Sequence, residues 1–154
     1  MSTSVIPDLI ARLVTTFDSA LPADVLVVDG DIVTGEPGTT LMVGWDDPDN
    51  ERATSATSNQ EWAGIGAKAR NEDGEITCLV VALDGNSVMA TARATAKAVT
   101  DAVENALRAD PNLGGAVPGL MWVSYGTRTE VRQWLSDQGA VCSITFEIAF
   151  KARI

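Results

Sequence analysis

The chain has 154 residues, 45% of them apolar, and a formal charge of −10; that length suits one domain able to bury about 68–70% of its unfolded surface without staples. Its longest apolar run, residues 78–83, is far short of the ~20 residues of a membrane helix, and Met1-Ser2-Thr3-Ser4 lacks the basic-then-apolar character of a signal peptide. Residues 1–119 carry seven basic and eighteen acidic side chains, leaving −11, whereas residues 120–154 carry four and three, leaving +1; so acidic a body repels phosphate backbones, which excludes tight electrostatic binding of nucleic acid.

Along the chain, Ile6, Leu9, Ile10, Leu13, Phe17 and Leu21 recur at helical spacing, so residues 6–21 read as an amphipathic helix. Ser4 is placed to cap it, Pro7 fits a first turn where a missing N–H costs nothing, and Pro22 closes it. Residues 25–29 read as a short apolar strand, 30–38 as turn-rich and 40–45 as a second strand. Asp46-Asp47-Pro48-Asp49-Asn50-Glu51 opens a flexible acidic and polar loop over 46–59; loops above about 12 residues are uncommon unless they have a job or are disordered. Residues 61–69 and 75–83 read as hairpin arms around the turn signal Asn71-Glu72-Asp73-Gly74. The second arm is apolar on both faces, which suits a central strand or one covered on both sides.

Residues 87–109 read as a long helix of about 33 Å, with Val88, Ala92, Ala96, Val99, Val103 and Leu107 as its buried stripe. Its alanines allow close approach to a sheet, and Lys97–Asp101 and Glu104–Arg108 pair four apart on the exposed side. Pro111 ends it. Residues 119–126 read as a strand, and 129–135 as another, with a helix over 129–136 as the alternative. Asp137-Gln138-Gly139 then turns into residues 139–154. There Cys142, Ile144, Phe146, Ile148 and Phe150 alternate with Val141, Ser143, Thr145, Glu147, Ala149 and Lys151. Alternation of this length means a strand with one buried and one wetter face. The order of elements predicts a single α+β domain over 1–154: a mostly antiparallel sheet, with the N-terminal helix and the long central helix packed on it.

The absence of histidine excludes Ser-His-Asp and Cys-His catalysis and imidazole metal sites, but leaves carboxylate and lysine chemistry open. Cys78 and Cys142 sit in apolar strand patterns and read as buried free thiols, which favours a reducing compartment. Asp46, Asp47, Asp49 and Glu51 could gather around a hard cation, yet Arg52 and Ala53 stand where a calcium loop needs glycine. A solvated acidic loop is the better reading, with weak calcium or magnesium binding the other. Gly64-x-Gly66-x-x-Ala69, with Asp84 twenty residues on, loosely matches a dinucleotide fingerprint. That fingerprint needs a helix next, and a hairpin arm offers none, so the glycines read as a close backbone approach or a bulge. Tyr125, Arg128, Glu130 and Arg132 make either a small polar site near one turn or alternating charges on an exposed strand. Trp45, Trp62, Trp122 and Trp134 lie on or at the ends of strands, and some should be core. Trp62 and Trp134 are placed on the face shared with Lys68, Arg70, Glu130 and Arg132, as at a subunit contact or a packed sheet edge.

The helix over 6–21, the short strands beside the acidic loop, the hairpin over 61–83, the alanine-rich helix over 87–109 and the closing Gly139-Ala140-Val141-Cys142-Ser143-Ile144-Thr145-Phe146-Glu147 together form a layout. Over almost the whole chain it resembles the tail terminator (tail completion) proteins of long-tailed bacteriophages. The resemblance implies a structural virion protein. Six copies would close into a ring that caps the tail tube, ends its polymerisation and offers a joining surface to the head connector or another neck protein. DNA would pass through the lumen without specific binding. It implies no catalytic residue, cofactor, metal or membrane, assembly in the host cytoplasm, and a place at the neck end of the tail. Free sheet edges suit lateral pairing in such a ring. Its interface candidates are Trp45, Asp46, Asp47, Asp49, Trp62 and Trp134. Two other classes stay open. One is a neighbouring virion protein, such as a head–tail adaptor or tail tube subunit. The other is a small enzyme or ligand-binding domain using Asp29, Asp31, Asp46 or Glu61, which predicts a concave pocket with a shifted carboxylate where a ring predicts none.

Overall fold

The computed structural model describes residues 2–32 and 38–154; of the turn-rich stretch expected over 30–38, residues 33–37 lie outside the described residues. In chain order the elements are α1 (Ile6–Ala20), β1 (Val25–Asp29), β2 (Thr39–Val43), β3 (Ala56–Trp62), β4 (Arg70–Asp84), α2 (Met89–Ala109), a 3-10 turn at Leu113–Gly115, β5 (Leu120–Ser136) and β6 (Gly139–Arg153). The strands form one sheet in the order β1-β2-β4-β6-β5, with β3 beside the first half of β4 on the same side as β2. β1 and β2 run parallel, and every other described pairing is antiparallel. The fold is therefore α+β, as the order of elements predicts.

β4 and β6 pair from Asn71↔Arg153 to Asp84↔Ala140 and make the centre of the sheet. Ile76, Cys78, Val80 and Ala82 share one face with Cys142, Ile144, Phe146, Ile148 and Phe150, and all are buried. Both helices lie on that face. Leu9, Leu13 and Phe17 come down from α1, and Ala92, Ala96, Val99, Val103 and Leu107 from α2. Val88, expected in that stripe, is exposed because it is the extended residue before the first turn. Cys78 and Cys142 are buried free thiols; burial pushes the Cys78 thiol up to about 12 and raises Cys142 as well, so neither is a ready nucleophile. Among the described residues no helix is long and apolar enough to cross a membrane.

Three local expectations are corrected. Ser4 is not the N-cap residue of α1: its Oγ accepts from the Ile6 N–H at 3.1 Å, but the helix begins after Val5, which has no side-chain cap. Instead the Val5 N–H donates to Glu72 Oε2 at 2.9 Å and Ser4 Oγ donates to Glu72 Oε1 at 2.6 Å. A buried carboxylate from the sheet thus satisfies the positive end of the helix. Second, Asn71-Glu72-Asp73-Gly74 is not a turn but the first part of β4, paired with β3 from Trp62↔Arg70 to Ala56↔Ile76. Gly74 is there for packing: a Cβ would sit 2.7 Å from the Phe150 ring and collide with the Thr57 carbonyl. The chain reverses over 63–69 instead, and strand β3 already covers 56–59, so the acidic loop ends at Ser55. Third, residues 120–136 are one strand, β5, with a pairing shift between Tyr125 and Thr129 rather than two separate strands.

Candidate functional site

The face of the sheet away from the helices carries the residues that alternate with the core. Glu75, Thr77, Leu79 and Val81 on β4 share it with Ser143, Thr145 and Glu147 on β6 and with Glu130, Arg132 and Trp134 on β5. The polar loop between β2 and β3 walls this face, leaving a cleft of about 530 Å3. Both ends of the loop are pinned to Thr77. Trp45 N–H donates to the Thr77 carbonyl at 2.9 Å, Thr77 N–H to Ser55 O at 2.9 Å, and Thr77 Oγ1 to Thr54 O at 3.1 Å. Within the loop, side chains close the turns: Asp47 Oδ1 accepts from Asp49 N–H, and Asn50 Oδ1 from Arg52 N–H.

Two carboxylates sit side by side in this cleft. Glu75 pairs with Ala149 and Thr77 with Glu147, so Glu75 and Glu147 are diagonal neighbours on one face. Burial raises the Glu147 carboxyl, the charge and hydrogen bond of Glu75 raise it further, and Arg128 partly offsets them. Arg128 in turn pairs with Glu130 at 3.0 Å on the exposed rim. Sequence reasoning missed both glutamates. Glu147 was visible only as a wet position in the last strand, and Glu75 followed an apparent turn; their meeting depends on the β4–β6 register.

Of the sequence candidates, Trp45, Asp47, Asp49 and Trp134 line the cleft. Asp46 is exposed and does not line it. Trp62 is elsewhere. It pairs with Arg70, in step with Glu72 on the helix side, whereas Trp134 pairs with Val141 on the cleft side. The two tryptophans therefore occupy opposite faces, correcting the expectation of a shared one, and Lys68 lies in the turn rather than on a strand. No tryptophan is core: Trp45 is half-buried, and Trp62, Trp122 and Trp134 are exposed. Phe17, Phe146 and Phe150 fill the interior instead. Tyr125 stacks on Phe146 with ring centroids 4.9 Å apart, on the face opposite Glu130 and Arg132, so the four-residue polar cluster does not form. Asp29, Asp31 and Glu61 are exposed and, like Asp46, stand outside the cleft. Among the described residues no three histidine, cysteine or acidic side chains converge to hold a metal ion.

A second feature is the β3–β4 turn. Ala63 N–H donates to Ala69 O and Ala67 N–H to Gly64 O, both at 3.0 Å. Gly66 takes φ +75°, which a side chain disfavours, at the third position of that inner turn. This accounts for the glycines of 64–69, which lie in the turn and not in an arm. The turn holds Ile65 fully exposed at its apex, with Trp62, 67% exposed, beneath it. The Arg70 guanidinium lies 5.8 Å from the Trp62 ring centroid.

The chain shares its fold with a virion protein. It matches a chain of the virion of a native gene transfer agent particle over 99% of this chain and 100% of that one, at TM-score 0.61 and 16% identity. A sheath/tube terminator of an extracellular contractile injection system, in the extended state, is similar at TM-score 0.49 and 12% identity, over 100% of this chain and 58% of that one. No protein-family model and no curated protein sequence matches the chain. The likeness at these identities is one of fold.

Proposed function

We propose that this chain is a structural virion protein of the tail, a terminator that closes into a ring, the sixfold one its layout resembles, over the end of the tail tube. The ring ends tube polymerisation and gives the head connector or a neck protein a surface to join. The observation that carries this reading is the fold shared end to end with a virion component. Supporting it, β5 presents an unpaired outer edge, and from Thr129 to Leu135 its residues are exposed. The acidic body suits a lumen through which DNA slides without sticking. In this reading the chain is no enzyme and uses no cofactor, and it takes its place at the neck end of the tail after assembly in the host cytoplasm. Trp45, Asp46, Asp47, Asp49 and Trp134 contribute contacts around the cleft, and Trp62 contributes them from the β3–β4 turn.

Native mass together with negative-stain imaging at high concentration, with and without magnesium, tests this. Closed rings with open centres are expected. Long tubes would move the assignment to a tube subunit, and a chain that stays monomeric even when tube ends are supplied would remove the terminator reading.

One observation favours a second reading. The cleft with its raised Glu147 beside Glu75 is the concave pocket with a shifted carboxylate that a ligand-binding or carboxylate-based enzymatic domain predicts. In that case Glu147→Gln abolishes binding or turnover in a small-molecule screen and leaves assembly untouched.

A further inference from the structure

We infer that the cleft on the open face of the sheet seats the Ile65 corner of a second copy of this chain; this rests on the ring reading and specifies the contact that closes it. The corner is built to be shown. Its two backbone hydrogen bonds and the left-handed Gly66 fix an apolar apex with no cover of its own. An exposed isoleucine above an exposed tryptophan on a closed turn marks a contact surface more readily than a loose loop does.

The cleft matches it in chemistry. Trp45, Trp134, Leu79 and Val81 give it apolar walls, and a volume of about 530 Å3 admits one or two apolar side chains. Its lining carries five carboxylates against three guanidiniums, a net of −2. The corner, residues 61–70, carries Lys68 and Arg70 against Glu61, a net of +1. Opposite charge thus surrounds an apolar plug and an apolar seat.

Position makes the contact intermolecular. Five residues of β4, about 17 Å along the strand, separate Arg70 beside the corner from Glu75 at the near end of the cleft, and nine, about 30 Å, separate it from Leu79 among the apolar walls. Trp62 lies on the helix side of the sheet and the cleft on the other. A chain cannot reach its own cleft, and one that offers a plug at one place and a seat at another associates head to tail. Such a contact closes into a ring when its rotation permits.

The test uses full-length chains in native mass measurements and imaging. Ile65→Asp removes the plug, on a fully exposed turn where folding is unaffected. Thr145→Trp fills the seat. Each variant alone is expected to stay monomeric at concentrations where the wild type forms rings, with the association constant lowered roughly tenfold or more. Mixed together, they have one intact plug and one intact seat, so they form heterodimers and nothing larger. Rings of Ile65→Asp like those of the wild type would overturn the inference and leave the ring reading standing. Ile65→Asp rings that no longer cap tubes would place the corner on the tube and also overturn it. A wild type that forms no ring under any of these conditions would remove both.

Discussion

Glu72 ties three separate segments together. Its carboxylate accepts from Ser4 Oγ, the Val5 N–H, Ser58 Oγ at 2.8 Å and Gln60 Nε2 at 3.3 Å, and its side chain is fully buried. Burial works against its ionisation, but these hydrogen bonds together outweigh it and hold the carboxyl below its ordinary value of 4.5. Glu72→Ala strips α1 of its cap and leaves the Val5 N–H unpaired, so a loss of about 3 kcal/mol is expected in urea denaturation. The pH dependence carries two opposite signs. Glu72, lowered, contributes stability that is present above the ordinary value and lost as pH falls through its folded value. Glu147, raised, holds its proton more tightly when folded; its contribution is full below the ordinary value and lost as pH rises through its raised one. Thermal midpoints measured from about pH 3 to pH 8 should therefore lose their acid-side fall in Glu72→Gln and their fall above the carboxylate range in Glu147→Gln. Identical profiles for Glu147→Gln and the wild type would mean that the Glu75–Glu147 pair carries no folding energy. None of this was legible from sequence, because the partners of Glu72 come from two stretches, 4–5 and 58–60, both remote from it along the chain.

At the scale of elements, long periodic segments were readable, and so was the turn at Asp137-Gln138-Gly139, but the turn of the first hairpin was not. α1, α2 and β6 each bury one regular stripe, so their extents follow from spacing. The hairpin was misplaced because Asn71-Glu72-Asp73-Gly74 has turn composition, while every member has a strand reason: Asn71 and Asp73 face away from the helices, Glu72 caps α1, and Gly74 lies under Phe150. The true turn, Ala63-Gly64-Ile65-Gly66-Ala67-Lys68-Ala69, is mostly apolar and does not look like one. The cleft was half legible: its loop wall was visible as an acidic run, and its floor needed the register of three strands. Alanine at each glycine separates the two hairpins. Gly74→Ala forces a Cβ against the Phe150 ring and the Thr57 carbonyl, costing about 1–3 kcal/mol or more. Gly66→Ala meets nothing within 4 Å and suffers only the left-handed backbone, about 1 kcal/mol. Chemical denaturation should rank Gly74→Ala as the more damaging. The reverse ranking would return the turn to 71–74.

For the whole molecule, charge sets the conditions under which copies meet. A chain of this length folds to a diameter of about 40 Å. Two bodies of charge −10 at that separation repel by about 10 kcal/mol in unscreened water. The local attraction between a net +1 corner and a net −2 cleft, about 8 Å apart, is roughly 1 kcal/mol in the same medium. Repulsion therefore dominates at low salt, where the Debye length of about 30 Å at 0.01 M reaches across the assembly. At about 0.15 M it shrinks to about 8 Å, so the long-range term collapses while the apolar plug keeps its burial. Self-association measured by sedimentation should strengthen as salt rises from about 0.01 M to about 0.15 M, and level off beyond. Exposed ion pairs such as Arg128–Glu130 are too weakly held to reverse that trend. A steady decline with salt over the same range would mean that opposite charges, and not buried apolar surface, hold the copies together, and the search for the contact would move from Ile65 to the arginines of β5.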